Sequence, residues 1–551
     1  MSDIILPDDP SRLPWSMTLG ELVDRAAARD PYKVYLYYGP YQVTYQELLD
    51  YTLRVAGLFW ELGVRHGDRV CVFLPNGREV PFIWLGLSRI GAITVPINTA
   101  YRVEEMTYIL NNAEAKVLVS HHSLMDVARQ AAGRCPSLER LLVVSQDGVA
   151  GDGWIDFWTL LRESMALDPG AMEGRVSPED LSMLVYTSGT TGDPKGVMIT
   201  HEMYVAAGQG FATWTGSSSL DRFFTCLPYY HANSQYYSTM GSLAAGASLV
   251  LADRFSASRF WDQVRESGAT VVNFIGMMMP VLLKQPPSDR DRDNSVRLFY
   301  GSPALARELL EEFEERFGAA VQIGFGMTET CYGTIERLGE GHRSGSSGRP
   351  RWHPDPRFRN ELTIRGEDGE ASPGAVGEIT LRNPVVMPGY WRDPARTAET
   401  LRDGWLHTGD LGWLDEEGNL HFVDRKKDVV RRRGENISSQ EVENVIKRHP
   451  GVLDCAVIAV PSELGEDEVK AYVVPKAGEP GDAGPRPGPE DIVYWCAEHL
   501  AYFKVPRYVE MREDFPRTPS FRVRKDLLRR EREDLTAGCF DREKAGIRLR
   551  P

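Results

Sequence analysis

Cysteine is scarce in this 551-residue chain and nowhere clustered. Cys71, Cys135, Cys226, Cys331, Cys455, Cys496 and Cys539 are scattered without a C-x-x-C pair. That excludes a disulfide scaffold and a cysteine-rich zinc site, and fits a reducing compartment. No apolar run approaches the ~18 residues a membrane helix needs. The opening stretch MSDIILPDDPSRLPW has neither a basic n-region nor an apolar core, so no leader peptide is expected. Excess positive charge is missing too: 63 Lys and Arg against 78 Asp and Glu leave a net charge of −15. Such a surface repels a phosphate backbone, so no nucleic-acid partner is expected, although local basic patches can still hold a small anion. There is no short-period repeat and no coiled-coil heptad. The expectation is a soluble, cytoplasmic protein.

What is present reads as ordinary globular text, with 42% hydrophobic and 26% charged residues. The length exceeds one hydrophobic core, so at least two domains are expected. Up to residue 424, strand-like and helix-like segments alternate. RVCVFLP predicts a buried strand, PFIWLGLSRIG a helix and AITVPIN the next strand. RVEEMTYILNNAEA and KVLVSHH repeat the order, and ATVVNFI and AVQIGFG are further strands. ALARELLEEFEERFG carries Leu305, Leu309, Phe313 and Phe317 at spacings of four, a helical stripe. This alternation predicts α/β layers with helices over largely parallel sheet. From 425 to 551 the texture becomes that of a smaller α+β unit. It opens on a basic loop, with Ser438 or Ser439 as the N-cap of a helix. Pro475–Glu490 is Pro/Gly-rich and predicts a solvated loop inside that unit.

The stretch YTSGTTGDPKGVMITH, Tyr186 to His201, carries the strongest chemical signal. Glycines let backbone amides approach an anion, hydroxyls add donors, and Lys195 adds positive charge. The inventory suits a polyphosphate. It is not a Walker A loop, which would need glycine where Pro194 stands, and G-x-G-x-x-G is absent.

Three further segments follow in order: GFGMTET (Gly324–Thr330), WLHTGDLG (Trp405–Gly412) and FVDRKKDVVRRRGENIS (Phe422–Ser438). Together the four resemble the signatures of the adenylate-forming superfamily of acyl-CoA synthetases, luciferases and peptide-synthetase adenylation domains. FWDQVRESGATVV, KQPPSDRD and RRRGENISS resemble its carnitine/crotonobetaine-CoA ligase-like group. The resemblance implies a large N-terminal domain (1–424) of layered α/β sheets plus a small β-barrel-like part. A small mobile α+β domain (425–551) would follow. It also implies an ATP- and Mg²⁺-dependent acid–CoA ligase, and it allows a homodimer.

A carboxylate is a poor electrophile, because its leaving group would be oxide. Attack by its oxygen on the α-phosphate of ATP supplies AMP as the leaving group, and a thiol can then displace it. The first step requires two anions to be brought together and developing charge to be stabilised. By resemblance, Thr187, Ser188, Gly189, Thr190, Thr191, Gly192 and Lys195 surround the β- and γ-phosphates. Thr328 donates to phosphate and Glu329 holds Mg²⁺. Gly301, Ser302, Pro303, Phe325 and Gly326 align with the adenine site, phenylalanine replacing the commoner tyrosine. Asp410 and Arg425 are assigned to the ribose, since each carboxylate oxygen can accept a hydroxyl hydrogen. His231 matches a position between the acyl pocket and the thiol channel, against the plainer alternative of a hydrogen-bonded core histidine. Its neighbours Asn233, Ser234, Gln235 and Tyr237 are polar for a fatty-acyl tunnel and predict a short, polar or aromatic acid. Lys427 falls at the hinge and Gly434 beside the pantetheine path. Arg431, Arg432 and Arg433 are either contacts to CoA phosphates or a solvated face.

One departure stands out near the C-terminus. Where the superfamily usually has Gly-Lys, this chain has Phe521 and Arg522, and Lys525 follows three residues on. Arg522 is expected to serve as the lysine's substitute. The same departure leaves open slow adenylation, or an adenylating enzyme with another acceptor, such as an amine, a carrier-protein thiol or nitrite for diazotisation. It also leaves open a non-catalytic nucleotide-binding scaffold.

Overall fold

The computed structural model describes the chain apart from residues 1–3, 146–150, 152, 169, 171–173, 188–193, 277, 303–304, 367–368, 426–427, 433–434, 462–466, 477–485, 501, 519–521 and 548–551. It divides into two compact units. Met1–Leu362, Leu381–His407 and Gly418–Leu420 form the first, and Thr363–Thr380, Thr408–Glu417 and His421–Pro551 the second.

Two large sheets build the first unit. One has nine strands, in spatial order Arg349–Pro350, Thr330–Ile335, Ala320–Met327, Leu298–Ser302, Val271–Ile275, Arg222–Thr225, Ser248–Leu251, Val34–Tyr38 and Tyr41–Thr44. From Ala320–Met327 through Val34–Tyr38 the pairing is parallel, and antiparallel strands close the edges. The other runs Trp154–Asp156, Arg140–Val144, Val117–His121, Arg69–Phe73, Ile93–Pro96, Leu181–Thr187 and Lys195–Thr200. It is parallel except for its last pair, which is an antiparallel hairpin. Strands covered on both faces need apolar side chains in both directions. That is why Ile93–Pro96 and Ser248–Leu251 are buried at every residue. The helix Glu79–Arg89, one of the predicted ones, is buried at every position from Val80 on.

The helix over Arg307–Phe317 corrects the predicted stripe. It starts after Leu305 and buries Leu310, Phe313 and Phe317. Leu305 and Leu309 only border the same core. The sequence spacing of four was read from a residue outside the helix, which put its first half out of phase.

A six-stranded sheet of Glu361–Gly366, Gly369–Glu370, Gly377–Arg382, Leu401–Arg402, Trp405–Leu414 and Leu420–Arg425 is the smaller β part. In the second unit, Val452–Pro461, Asp467–Pro475, Tyr508–Met511 and Phe540–Asp541 form a four-stranded sheet. The helices Ser439–Lys447 and Pro489–His499 bury Val442, Ile446, Ile492 and Cys496 in the same core as Val457 and Val469. Ser438 is the N-cap of the first helix, its hydroxyl accepting from Glu441 N at 3.2 Å. No helix among the described residues is long and apolar enough to cross a membrane.

Candidate active site

In open parallel sheets, ligands bind beyond the carboxyl ends of the strands. The candidate residues of the first unit collect there. Thr187 ends the strand Leu181–Thr187, Ser302 ends Leu298–Ser302, and Thr328 and Glu329 follow Ala320–Met327. His231 lies in the connection after Arg222–Thr225.

The hairpin of Leu181–Thr187 and Lys195–Thr200 pairs Thr187 directly with Lys195, so the hydroxyl-rich loop springs from a fixed base. The loop residues Ser188, Gly189, Thr190, Thr191 and Gly192 lie outside the described residues, as does Pro303. Thr187 Oγ1 is buried without a hydrogen-bond partner. A buried hydroxyl left unpaired is costly, and a ligand oxygen would relieve it.

Thr328 and Glu329 form a two-residue turn, since Met327 pairs with Thr330 across the hairpin. Two backbone contacts pin it: Tyr236 donates its hydroxyl to Thr328 O at 3.0 Å, and Met387 N donates to Glu329 O at 2.9 Å. Lys195 Nζ stands 3.4 Å from Glu329 Oε1. Between them comes a residue the sequence did not flag. Lys195 Nζ donates to the Tyr390 hydroxyl at 2.5 Å, and Tyr390 donates to Glu329 Oε1 at 2.7 Å. Burial and the adjacent Glu329 carboxylate push the Tyr390 phenol up, so it stays protonated and remains the donor. Tyr390 reaches this place because its segment runs along the lysine's strand, with Trp391 N donating to Gly196 O at 2.7 Å and Met198 N to Gly389 O at 3.1 Å.

Glu329 also gives the fit test for Mg²⁺. Among the described residues no cluster of three or more His, Cys, Asp or Glu could hold a metal alone. Glu329 is 6% exposed and its protein contacts fall on Oε1. A single carboxylate with a second oxygen to spare fits a cation that takes most of its remaining ligands from phosphates and water.

His231 follows a buried aromatic stretch and leads into a π-helical turn, Ser234–Thr239. Such turns are rare and concentrate at functional sites. Burial pushes the His231 imidazole down to about 4, and its Nε2 has no partner. Asn273 Nδ2 donates to Asn233 Oδ1 at 3.0 Å, which leaves Asn273 Oδ1 buried and unpaired. Ser234 and Gln235 do not line a pocket with free polar groups. Ser234 Oγ donates to Pro228 O at 2.7 Å, while Gln235 Nε2 donates to Tyr229 O at 2.7 Å and Gln235 Oε1 accepts from Tyr204 at 2.6 Å. They fasten the π turn.

Gly301 and Ser302 occupy the end of a central strand, and half-buried Phe325 and exposed Gly326 lie on the neighbouring one.

In the second unit Arg425 Nε lies 3.4 Å from Asp410 Oδ1. Asp410 is held by its strand and by its N–H, which donates to Thr408 Oγ1 at 3.1 Å. Arg522 sits at the surface in a short hairpin, its N–H donating to Thr518 Oγ1 at 3.1 Å. Its guanidinium is held below the ordinary value by lost hydration and then by Arg425, while Asp410, Asp428 and Glu443 pull the other way. Thus Arg522, Arg425 and Asp410 share one charged neighbourhood. Lys525 is engaged elsewhere: Nζ is 2.6 Å from Ser439 Oγ and 2.7 Å from Glu443 Oε1. Arg432 is neither a phosphate contact nor a solvated charge. It is 2% exposed, with Nε 2.7 Å from Glu468 Oε2 and Nη1 donating to Phe503 O at 2.7 Å. Lys427, Gly434, Arg433 and Phe521 lie outside the described residues.

Residues 23–391 match the model of the AMP-binding enzyme family, and residues 441–522 that of the AMP-binding enzyme C-terminal domain. The chain belongs to the AMP-binding enzyme family. It is 38% identical over 487 residues to a crotonobetaine/carnitine–CoA ligase of Salmonella arizonae, covering 86% of this chain and 91% of that one. With the Escherichia coli O45:K1 enzyme of the same name it shares 37% over 494 residues, 88% and 92% of the two chains. Among solved structures it resembles the anthranilate CoA ligase AuaEII in complex with anthranoyl-AMP, at a TM-score of 0.84, 26% identity and coverage of 94% and 98%. It also resembles ATP-bound MatB from Rhodopseudomonas palustris, at 0.81, 28% identity and coverage of 94% and 100%. This AMP-binding enzyme is an AMP-forming acid–CoA ligase that takes ATP and CoA as substrates.

Proposed function

We propose that this ligase activates a small or medium-sized carboxylic acid, polar or aromatic rather than long-chain, and passes the acyl group from AMP to CoA. The observation that carries the reading is the Lys195–Tyr390–Glu329 constellation at the carboxyl ends of parallel strands. Lys195, Thr187 and the loop from Ser188 to Gly192 draw the β- and γ-phosphates in by charge and hydrogen bonding. Thr328 donates to phosphate from its pinned turn. Glu329 would hold Mg²⁺, which when bound offsets phosphate charge. Gly301, Ser302, Pro303, Phe325 and Gly326 receive the adenine, and Asp410 with Arg425 the ribose. Arg522 supplies positive charge to the carboxylate and α-phosphate while the carboxylate oxygen forms its bond to phosphorus and pyrophosphate leaves.

For the second step, an imidazole held neutral by burial does not add charge beside the thioester, and His231 separates acyl and thiol paths. The unpaired His231 Nε2 and Asn273 Oδ1 support a polar acid, because a hydrocarbon tail would leave both unsatisfied. Ser234 and Gln235 contribute nothing to this preference.

A panel of C4–C10, hydroxylated, aromatic and long-chain acids with ATP, Mg²⁺ and CoA tests the proposal. The expected result is AMP and thioester in equal amounts for short polar or aryl acids. A preference for palmitate would remove the substrate class. AMP without thioester would favour an amine, carrier-protein or nitrite acceptor.

A further inference from the structure

Arg351 is among the largest wholly buried side chains, at 1% exposure, and no carboxylate among the described residues pairs with it. It is held by neutral groups: its Cζ lies 4.8 Å from the Trp214 ring centre, 5.1 Å from that of Tyr237 and 5.7 Å from that of Tyr300, and neutral oxygens accept its hydrogens. Nε donates to Thr334 O at 3.0 Å, Nη1 to the Tyr237 hydroxyl at 2.6 Å and to Cys331 O, and Nη2 to the Tyr300 hydroxyl. These contacts use four of the guanidinium's five N–H groups, so one Nη2 hydrogen has no acceptor among the described residues. Burial pushes the Tyr237 and Tyr300 phenols up and the Cys331 thiol up to about 12, so none supplies a countercharge. Arginine keeps its proton in such surroundings, and a buried cation without a countercharge is costly. A fold that needed only filling at this point would be served by an apolar residue.

The position explains what the charge can act on. A side-chain carbon on Gly324 would come within 2.7 Å of Arg351 Nη2, and one on Gly326 within 3.2 Å of Nη1 and 2.9 Å of the Tyr237 hydroxyl. The two glycines therefore make room for the guanidinium, which packs against the backbone of the exposed Gly326. Tyr237 belongs to the π turn that follows His231, and Tyr300 directly precedes Gly301. The charge thus lies behind the wall shared by the proposed acyl and adenine sites, in a dry setting where screening is weak.

We propose that Arg351 sets the charge preference of the acyl site: the enzyme selects acids bearing a hydrogen-bond acceptor or negative charge and rejects acids bearing a fixed cation. The inference rests on the proposed function and adds to it that the acyl group lies beside Gly326, next to the adenine. It separates this chain from relatives named for carnitine, a quaternary-ammonium acid, despite their shared sequence. Arg351 acts through the glycine backbone and is a positioning residue, so its signature is a dependence on substrate charge at constant shape.

The test compares 4-(trimethylammonio)butanoate with 5,5-dimethylhexanoate, which differ only by nitrogen in place of carbon. The readout is kcat/KM for thioester formation or, for an acid not turned over, its inhibition constant against an accepted acid. The expected wild-type result is at least a tenfold preference for the neutral acid. Arg351→Met is expected to bring the ratio within threefold by improving the cation, and Arg351→Lys to retain the preference. Equal use of both acids, or preference for the cation, by the wild type overturns the proposal. So does an unchanged ratio in a folded Arg351→Met enzyme, its folding shown by an ATP-induced rise in Tm. Should that variant not fold, the wild-type ratio decides alone. A protein that releases pyrophosphate with no acid of any charge would instead sink the proposed function.

Discussion

An arginine at position 522 differs from a lysine in shape before it differs in charge. Its planar fork can meet phosphate with two parallel hydrogen bonds, whereas an ammonium is a compact point charge. Lys525 offers no way round the substitution, because Ser439 and Glu443 already hold it. Arg522→Ala is therefore expected to lower acid-dependent pyrophosphate release by about two orders of magnitude, the range seen when one transition-state donor is lost. Arg522→Lys should keep most of the rate, and a pyrophosphate assay at saturating ATP distinguishes the two. An unchanged rate in Arg522→Ala would remove the residue from the mechanism. Legibility also divides residue by residue. Lys195 and Glu329 stood out because their neighbours form signatures. Tyr390 did not, because 195 positions separate it from Lys195 and only strand pairing brings them together. Arg351, in the stretch GRPRWHP, looks like one more surface charge until its burial is known.

At the scale of elements, the alternating strands and helices of the first unit were readable because each apolar run has the length and period of its element. The π turn Ser234–Thr239 was not, since one of the groups that fasten it, Tyr204, comes from the separate helix His201–Trp214. The stretch RRR misled for a related reason: a charge run is usually solvated, yet Arg432 turns inward to Glu468. Another inward charge ties a loop to its neighbours. His342 lies 3.3 Å from Glu314 on the helix Arg307–Phe317 and 3.2 Å from Glu336, whose carboxylate accepts from Ile323 N. Burial opposes its charge, but the two carboxylates win and raise its pKa to about 9. The folded value exceeds the unfolded ~6.5, so the stabilisation is complete below pH 6.5 and is lost as pH rises through about 9. Between pH 6 and 9.5 the wild type is expected to lose about 1–3 kcal/mol more stability than His342→Gln, read from denaturant midpoints. Parallel pH profiles for the two proteins would show that the cluster contributes nothing.

For the whole molecule, the residues given roles divide between the two compact units. Lys195, Thr328, Glu329 and Tyr390 belong to the first, and Asp410, Arg425 and Arg522 to the second. The sequence announced two domains through its change of texture, but not that Thr363–Thr380 and Thr408–Glu417 group with the C-terminal stretch. Their strands are covalently part of the preceding text and look no different from it. The central claim concerns one bond, from a carboxylate oxygen to the α-phosphorus of ATP. Its most direct test uses the best acid of the panel with both carboxylate oxygens replaced by ¹⁸O, together with ATP, Mg²⁺ and CoA. Mass spectrometry of the products should find one ¹⁸O in every AMP formed and the other in the thioester carbonyl. Unlabelled AMP, or ¹⁸O appearing in inorganic phosphate beside ADP, would contradict it.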